Sequence, residues 1–100
     1  MVEFWDEGEH QRDHDAFKEW QRRNKYGYVL NFPVNEPNKF HKSGCPHIRD
    51  FSSNPNASLT ENRKRCSTNG GELIGHTREQ SIEFVRCETC RNKSHAQLWR

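Results

Sequence analysis

Two cysteines separated by two residues, Cys87 and Cys90, give the strongest chemical signal in the sequence. Two thiolates at this spacing form a tight knuckle that binds one zinc ion through both sulfurs. A CxxC pair also serves redox chemistry, where it follows a strand and opens a helix. The residues before Cys87 favour a helix instead, so we interpret the pair as metal ligands rather than as a redox centre.

A second pair of ligand types lies upstream, where His41 and Cys45 are separated by three residues. This spacing lets the end of a strand and a turn place one imidazole nitrogen and one sulfur on the same ion. With Cys87 and Cys90, the pair predicts a closed, structural site for Zn²⁺ made of three cysteines and one histidine.

Cys66 leaves an alternative open, because the four cysteines together would form an all-cysteine site. We favour His41 as the fourth ligand because it lies close in sequence to a partner, Cys45. His47, two residues after Cys45, is a rival ligand or a supporting group.

The cysteines are more consistent with metal binding than with disulfides. The N-terminus is acidic where a secretory signal would be basic and then apolar, so we expect a cytoplasmic protein with reduced thiols. No apolar run approaches the roughly 20 residues that span a bilayer, so we expect no membrane association.

Composition indicates a small core that needs reinforcement. Of 100 residues, 30% are hydrophobic and 30% are charged, and the mean hydropathy is −1.25. One structural zinc supplies on the order of 10 kcal/mol to folding, which would offset the thin core. The charge is also uneven: residues 1–20 hold seven acids and two bases, whereas residues 21–100 hold seven acids and fourteen bases.

The patterning predicts an α+β fold with a small antiparallel sheet. An amphipathic helix over residues 9–24 presents Ala16, Phe17 and Trp20 on one face. A capping box at Thr77 and Gln80 predicts a short helix over 78–85, with Ile82 and Val85 facing inward, before the CxxC knuckle. The remaining predictions are strands at 28–32, 38–41 and 63–67, a loop at 52–62, a turn at 69–71 and a helical turn within 91–100. We divide the single zinc-binding domain, residues 1–100, into an N-terminal helix (1–25), a zinc module (26–91) and a tail or helical turn (92–100).

The order of these motifs resembles the zinc-binding domain of Ada-like proteins, as found in DNA alkylation repair proteins and beside bacterial nucleases. The likeness is carried by residues 40–46 and 77–91 and covers residues 26–91. It implies a small α+β domain with zinc at the sheet edge, held by His41, Cys45, Cys87 and Cys90. It also implies contact with DNA in a repair, restriction or defence system. In the repair proteins the first ligand is a cysteine that accepts a methyl group. His41 takes that place here, so the resemblance implies the scaffold rather than methyl transfer.

Basic residues predict a phosphate-facing surface. Phosphate contacts require only positive charge and reach. The residues that we assign to nucleic-acid binding are Lys39, Lys42, Arg63, Lys64, Arg65, Arg86 and Arg91.

Two other classes of function stay open. A protein–protein adaptor would use the acidic helix 9–24, with a protein partner or further domains after residue 100. A zinc-dependent nuclease or methyl acceptor would need an open coordination position or a reactive thiolate. The sequence has no Gly-rich phosphate loop and no HExxH motif, so we expect no enzymatic activity.

Overall fold

A computed structural model describes residues 1–6, 12–49 and 58–100. The elements, in chain order, are β1 (Val2–Phe4), α1 (Arg12–Arg23), β2 (Tyr28–Phe32), β3 (Lys39–Lys42), α2 (Pro46–Arg49), β4 (Arg63–Ser67), α3 (Gly70–Glu79), β5 (Val85–Arg86), α4 (Glu88–Arg91) and α5 (His95–Leu98). This confirms the α+β prediction. None of the helices in these ranges is long and apolar enough to cross a membrane.

The five strands form one sheet in the order β1-β4-β2-β3-β5. The first four pair antiparallel, and β5 adds to β3 in parallel. The strands predicted at 28–32 and 63–67 are confirmed, and β3 lies one residue later than predicted. The helical turn predicted within 91–100 is confirmed by α5. Residues 52–57 of the predicted loop lie outside the described residues.

The sheet has two buried faces. Val29 is paired with both His41 and Cys66, so these three side chains lie on one face, together with Phe17 of α1. Leu30 is paired with Phe40 on the other face, where Leu73 of α3 covers them. The alternation of side chains along β2 therefore separates the face that carries the candidate metal ligand His41 from the face where Leu30 packs with Phe40 and Leu73.

Helix α1 begins at Arg12, and predicted residues 9–11 lie outside the described ranges. Phe17 and Trp20 face the core as predicted, but Ala16 is exposed and Gln21 is buried. The expected face was wrong by one position because residues 17, 20 and 21 share a side of the helix.

The short helix predicted over 78–85 is wrong. Helix α3 begins earlier, where the Asn69 side chain accepts a hydrogen bond from the backbone N–H of Glu72 at 3.0 Å. The turn predicted at 69–71 is therefore the first turn of this helix. Thr77 is not an N-cap, since it lies inside the helix and donates its hydroxyl to the Leu73 carbonyl at 2.8 Å.

Helix α3 ends where the prediction placed a helix start. Ser81 has a φ of 58°. The N–H of Ser81 bonds to the Arg78 carbonyl and that of Ile82 to the Thr77 carbonyl, which is a Schellman arrangement. Val85 then enters β5 and is exposed rather than inward-facing.

Candidate metal centre

Four side chains of the types that bind zinc converge beneath the β3–β5 edge of the sheet. One ligand atom from each of His41, Cys45, Cys87 and Cys90 lies within 4.8 Å of every other. All four residues are buried, with at most 2% of their surface exposed. The sulfurs of Cys45 and Cys87 are 3.8 Å apart.

The parallel pairing of β3 and β5 brings the two halves of the site together. The Cys87 N–H donates to the Phe40 carbonyl at 3.0 Å, one residue before His41. At the other end of the site, the Cys45 N–H donates to the Lys42 carbonyl at 3.0 Å. Two pairs far apart in sequence thus become neighbours through adjacent strands.

The CxxC pair follows strand β5 and opens α4, with Cys87 as the N-cap residue. Our expectation that a helix precedes the pair is wrong, because strand β5 precedes it. Metal binding is still favoured over redox chemistry, since the ligand atoms of His41 and Cys45 lie within 4.8 Å of both CxxC sulfurs. None of the described cysteines forms a disulfide.

Lys42 holds the CxxC segment against β3. Its backbone N–H donates to the Cys90 sulfur at 3.4 Å, and its Nζ donates to the Cys90 carbonyl at 3.2 Å and to the Arg91 carbonyl at 3.3 Å. Nζ also donates to the carbonyl of Lys93. A cation at these carbonyls satisfies the C-terminal end of α4. Lys42 therefore stabilises the site. The sequence analysis had assigned Lys42 to nucleic-acid binding and did not predict this role.

Two distant elements hold the loop between His41 and Cys45. Gln21 of α1 donates its Nε2 to the Ser43 carbonyl at 2.8 Å and to the Ile48 carbonyl at 3.3 Å. Trp99, just after α5, packs so closely on Gly44 that a Cβ there would lie 2.6 Å from the indole nitrogen. Sequence analysis missed both supports, since a buried Gln on a mostly polar helix gives no local signal.

Hydrogen bonding between two cysteines of the site favours the thiolate form of Cys90 over that of Cys45. A hydrogen bond from the Cys45 thiol lowers the pKa of Cys90, and further hydrogen bonds from His41 and from the Lys42 backbone act in the same direction. The pKa of Cys45 is raised, first by its bond to Cys90 and then by burial. Of this hydrogen-bonded pair, the Cys90 sulfur therefore ionises before the Cys45 sulfur, and thiolates are the form that binds metal.

The residues present fit a zinc ion. The Nδ1 atom of His41 is buried and has no hydrogen-bond partner among the described residues, a state that metal ligation or a bound water would relieve. A tetrahedral ion with Zn–S bonds of about 2.3 Å separates its sulfurs by about 3.8 Å, which matches the Cys45–Cys87 distance. Three thiolates and one imidazole are a soft, tetrahedral donor set.

Cys66 lies outside this cluster, so the structure brings His41 rather than Cys66 to the other three cysteines. Cys66 shares a sheet face with His41, but Val29 on the intervening strand β2 separates them. Burial raises the pKa of the Cys66 thiol, which keeps it protonated in the core.

His47 lies beside the cluster without joining it. Its Nδ1 is 4.0 Å from the Cys87 sulfur, and its Nε2 is 3.3 Å from the Thr89 hydroxyl. The exposed imidazole thus covers the solvent side of Cys87.

Two of the three residues in the basic run at 63–65 are buried rather than phosphate-facing. Lys64 and Arg65 are 3% and 4% exposed. The Arg65 guanidinium donates to Glu3 at 2.9 Å and to the Gln80 side chain at 2.6 Å. Arg63 is half-buried over the Phe32 ring and within 3.9 Å of Glu3. Successive side chains of β4 point to opposite faces of the sheet, and both faces are covered. Lys64 and Arg65 are therefore buried, and Arg65 is paired with Glu3. The assignment of Lys64 and Arg65 to nucleic-acid binding was wrong.

The other predicted basic residues lie around the metal centre. Arg86 on β5 and Arg91 on α4 are exposed and form no ion pair with any residue in the described ranges. Lys39 is half-buried at the start of β3. Arg86 also lies over the Phe40 ring, with 5.6 Å between Cζ and the ring centroid.

In comparisons with known proteins, no family model, curated protein or solved structure matches this chain. The resemblance to Ada-like modules therefore stays a prediction.

Proposed function

We propose that the protein is a zinc-stabilised module that contacts nucleic acid, in particular DNA, through the basic surface beside its metal centre. We define this basic surface by Arg86, Arg91 and Lys39. The observation that carries the first half of the proposal is the convergence of His41 with three cysteines.

The metal's role is to hold the fold. The four ligands come from the end of β3, the turn after it and the start of α4, so one ion ties together segments more than 40 residues apart. All four are buried, and four protein ligands complete a tetrahedral shell. Such a closed site leaves no position for a substrate or a reactive water, which supports a non-enzymatic role.

Charge supports the second half of the proposal. Arg86 and Arg91 project from consecutive elements on either side of the CxxC pair, and both are exposed. Residues 21–100, which hold the metal ligands, contain twice as many bases as acids. Exposed cations that are not already paired are the groups that contact phosphates.

The alternative of a protein adaptor rests on the acidic N-terminal segment. In the described part of α1, Glu19 is already bonded to Arg22 and Arg23, with its closest contacts at 2.6 Å and 2.7 Å. Pairing within the helix reduces the charge that it offers to a basic partner. The nucleic-acid proposal is therefore the stronger of the two.

The test combines metal analysis with DNA titration. The purified protein should contain one zinc per chain and should bind labelled DNA, more weakly as salt is raised from low to physiological concentration. Arg86→Gln and Arg91→Gln should each weaken binding and reduce its salt dependence.

Lys18→Gln is the matched control, since Lys18 is an exposed cation on α1 and its replacement changes net charge by the same amount. Each variant must retain its zinc, because both arginines also offset the net negative charge of a zinc ion with three thiolates. Absence of DNA binding at low salt with zinc bound would overturn the nucleic-acid half and favour the adaptor.

A further inference from the structure

A small recess opens next to the metal centre, on the face of the sheet opposite α1. Its volume is about 180 Å³. The recess is lined by the Tyr28 and Phe40 rings, by Arg86 and Arg91, and by two of the candidate metal ligands, Cys87 and Cys90. Aromatic walls and cations thus share one concave surface.

The two rings in the recess belong to a longer row of aromatic contacts. Tyr28 and Phe40 stack with centroids 5.4 Å apart and 22° between their planes. His95 meets Tyr28 edge-on at 5.1 Å and meets Tyr26 at 5.7 Å. Tyr26 ends the row on the surface with 70% of its area exposed. Core packing accounts for Phe40 but not for so exposed a Tyr26.

The charged side chains that line the recess are all basic. Arg86, Arg91 and Lys42 line it, and no carboxylate among the described residues does so. Lys42 is bonded to backbone carbonyls, so it contributes its field rather than a direct contact. The two arginines remain available to an anionic ligand.

We infer that this recess and the exposed Tyr26 ring bind single-stranded nucleic acid, an inference that rests on the proposed function. One unpaired base enters the recess against Tyr28, a neighbouring base stacks on Tyr26, and Arg86 and Arg91 contact the linking phosphates. Proteins that bind single strands combine a cationic groove with aromatic rings in this way.

A duplex uses only part of this surface. Its bases are paired and stacked, so they cannot enter a recess unless a nucleotide is flipped out. Phosphates of a duplex would meet Arg86 and Arg91 but would leave Tyr26 without a partner. The aromatic row is therefore the feature that distinguishes a single strand from a duplex.

The experiment compares three labelled ligands of about 10 nucleotides: a single DNA strand, the corresponding duplex, and an abasic strand that keeps the phosphates without the bases. The zinc-loaded protein should bind the single strand most tightly. Tyr26→Ala should weaken single-strand binding by about 5- to 100-fold, with little effect on the abasic strand. Arg86→Gln should weaken binding of the intact single strand and of the abasic strand alike.

Trp5→Ala is the matched control, because Trp5 is an aromatic residue with 46% of its area exposed that takes no part in the aromatic row. Tyr28→Leu is a second test that keeps apolar volume in the recess. All variants are compared at full zinc occupancy.

The outcomes separate this inference from the proposed function. Duplex binding as tight as single-strand binding, or abasic binding as tight as that of the intact strand, would overturn the inference and leave the proposed function standing. Unchanged single-strand binding in both Tyr26→Ala and Tyr28→Leu would do the same. No binding of any of the three ligands would overturn both.

Discussion

Lys42 contacts Cys90 through both its backbone and its side chain: its N–H lies 3.4 Å from the sulfur, and its Nζ lies 3.2 Å from the carbonyl oxygen. One residue of β3 therefore orients a candidate metal ligand and anchors the short helix α4 that carries it. The metal centre depends on this neighbour as well as on its four ligands.

Lys42→Met should weaken zinc binding by about 10-fold or more, because groups that orient metal ligands contribute on this scale. Competition with a chromogenic chelator measures the change. Lys39→Met, on the same strand, is the control and should leave zinc affinity unchanged. Equal effects of the two substitutions would contradict the role assigned to Lys42.

Removal of the metal should unfold the domain. A structural zinc contributes on the order of 10 kcal/mol, and the core has few other apolar residues. Addition of a strong chelator should abolish the cooperative thermal transition followed by circular dichroism, and restoring zinc should recover it. A chelated protein that still melts cooperatively near the same temperature would contradict the structural role of the metal.

Cys45→Ala and Cys66→Ala should differ sharply, because only Cys45 belongs to the ligand cluster. Cys45→Ala should lose zinc, whereas Cys66→Ala should keep one zinc per chain and lose only about 1–2 kcal/mol of stability from reduced core packing. Metal analysis of the two purified variants decides the question. If Cys66→Ala stays folded but loses its zinc, Cys66 would have to be counted among the metal ligands.

Gln21→Leu should destabilise the protein by about 1–3 kcal/mol, because the carbonyls of Ser43 and Ile48 would lose their buried donor. The loop between His41 and Cys45 would also lose a support, so zinc affinity should fall. Denaturant unfolding and chelator competition measure the two effects. Lys18→Leu, at an exposed position on the same helix, should change neither stability nor zinc affinity. A similar loss in this variant would mean that the effect of Gln21→Leu comes from the helix itself and not from the loop between His41 and Cys45.

Lys64→Met should stabilise the protein, and the gain should depend on pH. Burial lowers the pKa of Lys64 from 10.5 to about 8, so below that pH the folded state carries an unfavourable buried charge. Replacement should add up to about 3 kcal/mol to the free energy of unfolding there. Between pH 8 and 10.5 the folded protein releases this proton while the unfolded chain retains it. The advantage of the variant should therefore diminish as pH rises through this window.

Denaturant unfolding of the two proteins, each with zinc, measures the difference at several pH values. A constant difference would contradict the burial of a charged Lys64. The same variant should bind nucleic acid as the parent does, since Lys64 is 3% exposed.

The sequence by itself determined the parts of this protein that depend on short spacings. The CxxC and HxxxC pairs are local, so they predicted the candidate ligands from spacing alone, with Cys66 left as an alternative to His41. The β-branched and aromatic run at Tyr28–Phe32 likewise predicted its strand to the residue. Helix α3 was misplaced because the Thr77–Gln80 pattern matches a capping box locally, whereas the apolar contacts of Leu73 with Leu30 and Phe40 favour the earlier start.

Only the tertiary structure decided between His41 and Cys66, and between surface and core for the basic run. Strand order places β3 beside β5, which brings His41 to Cys87, and it leaves β2 between His41 and Cys66. Pairing of β4 with both β1 and β2 buries Lys64 and Arg65, although three consecutive bases are typical of an exposed surface. Both outcomes depend on contacts between residues distant in the chain, and the spacing of residues along a sequence does not encode which strands become neighbours.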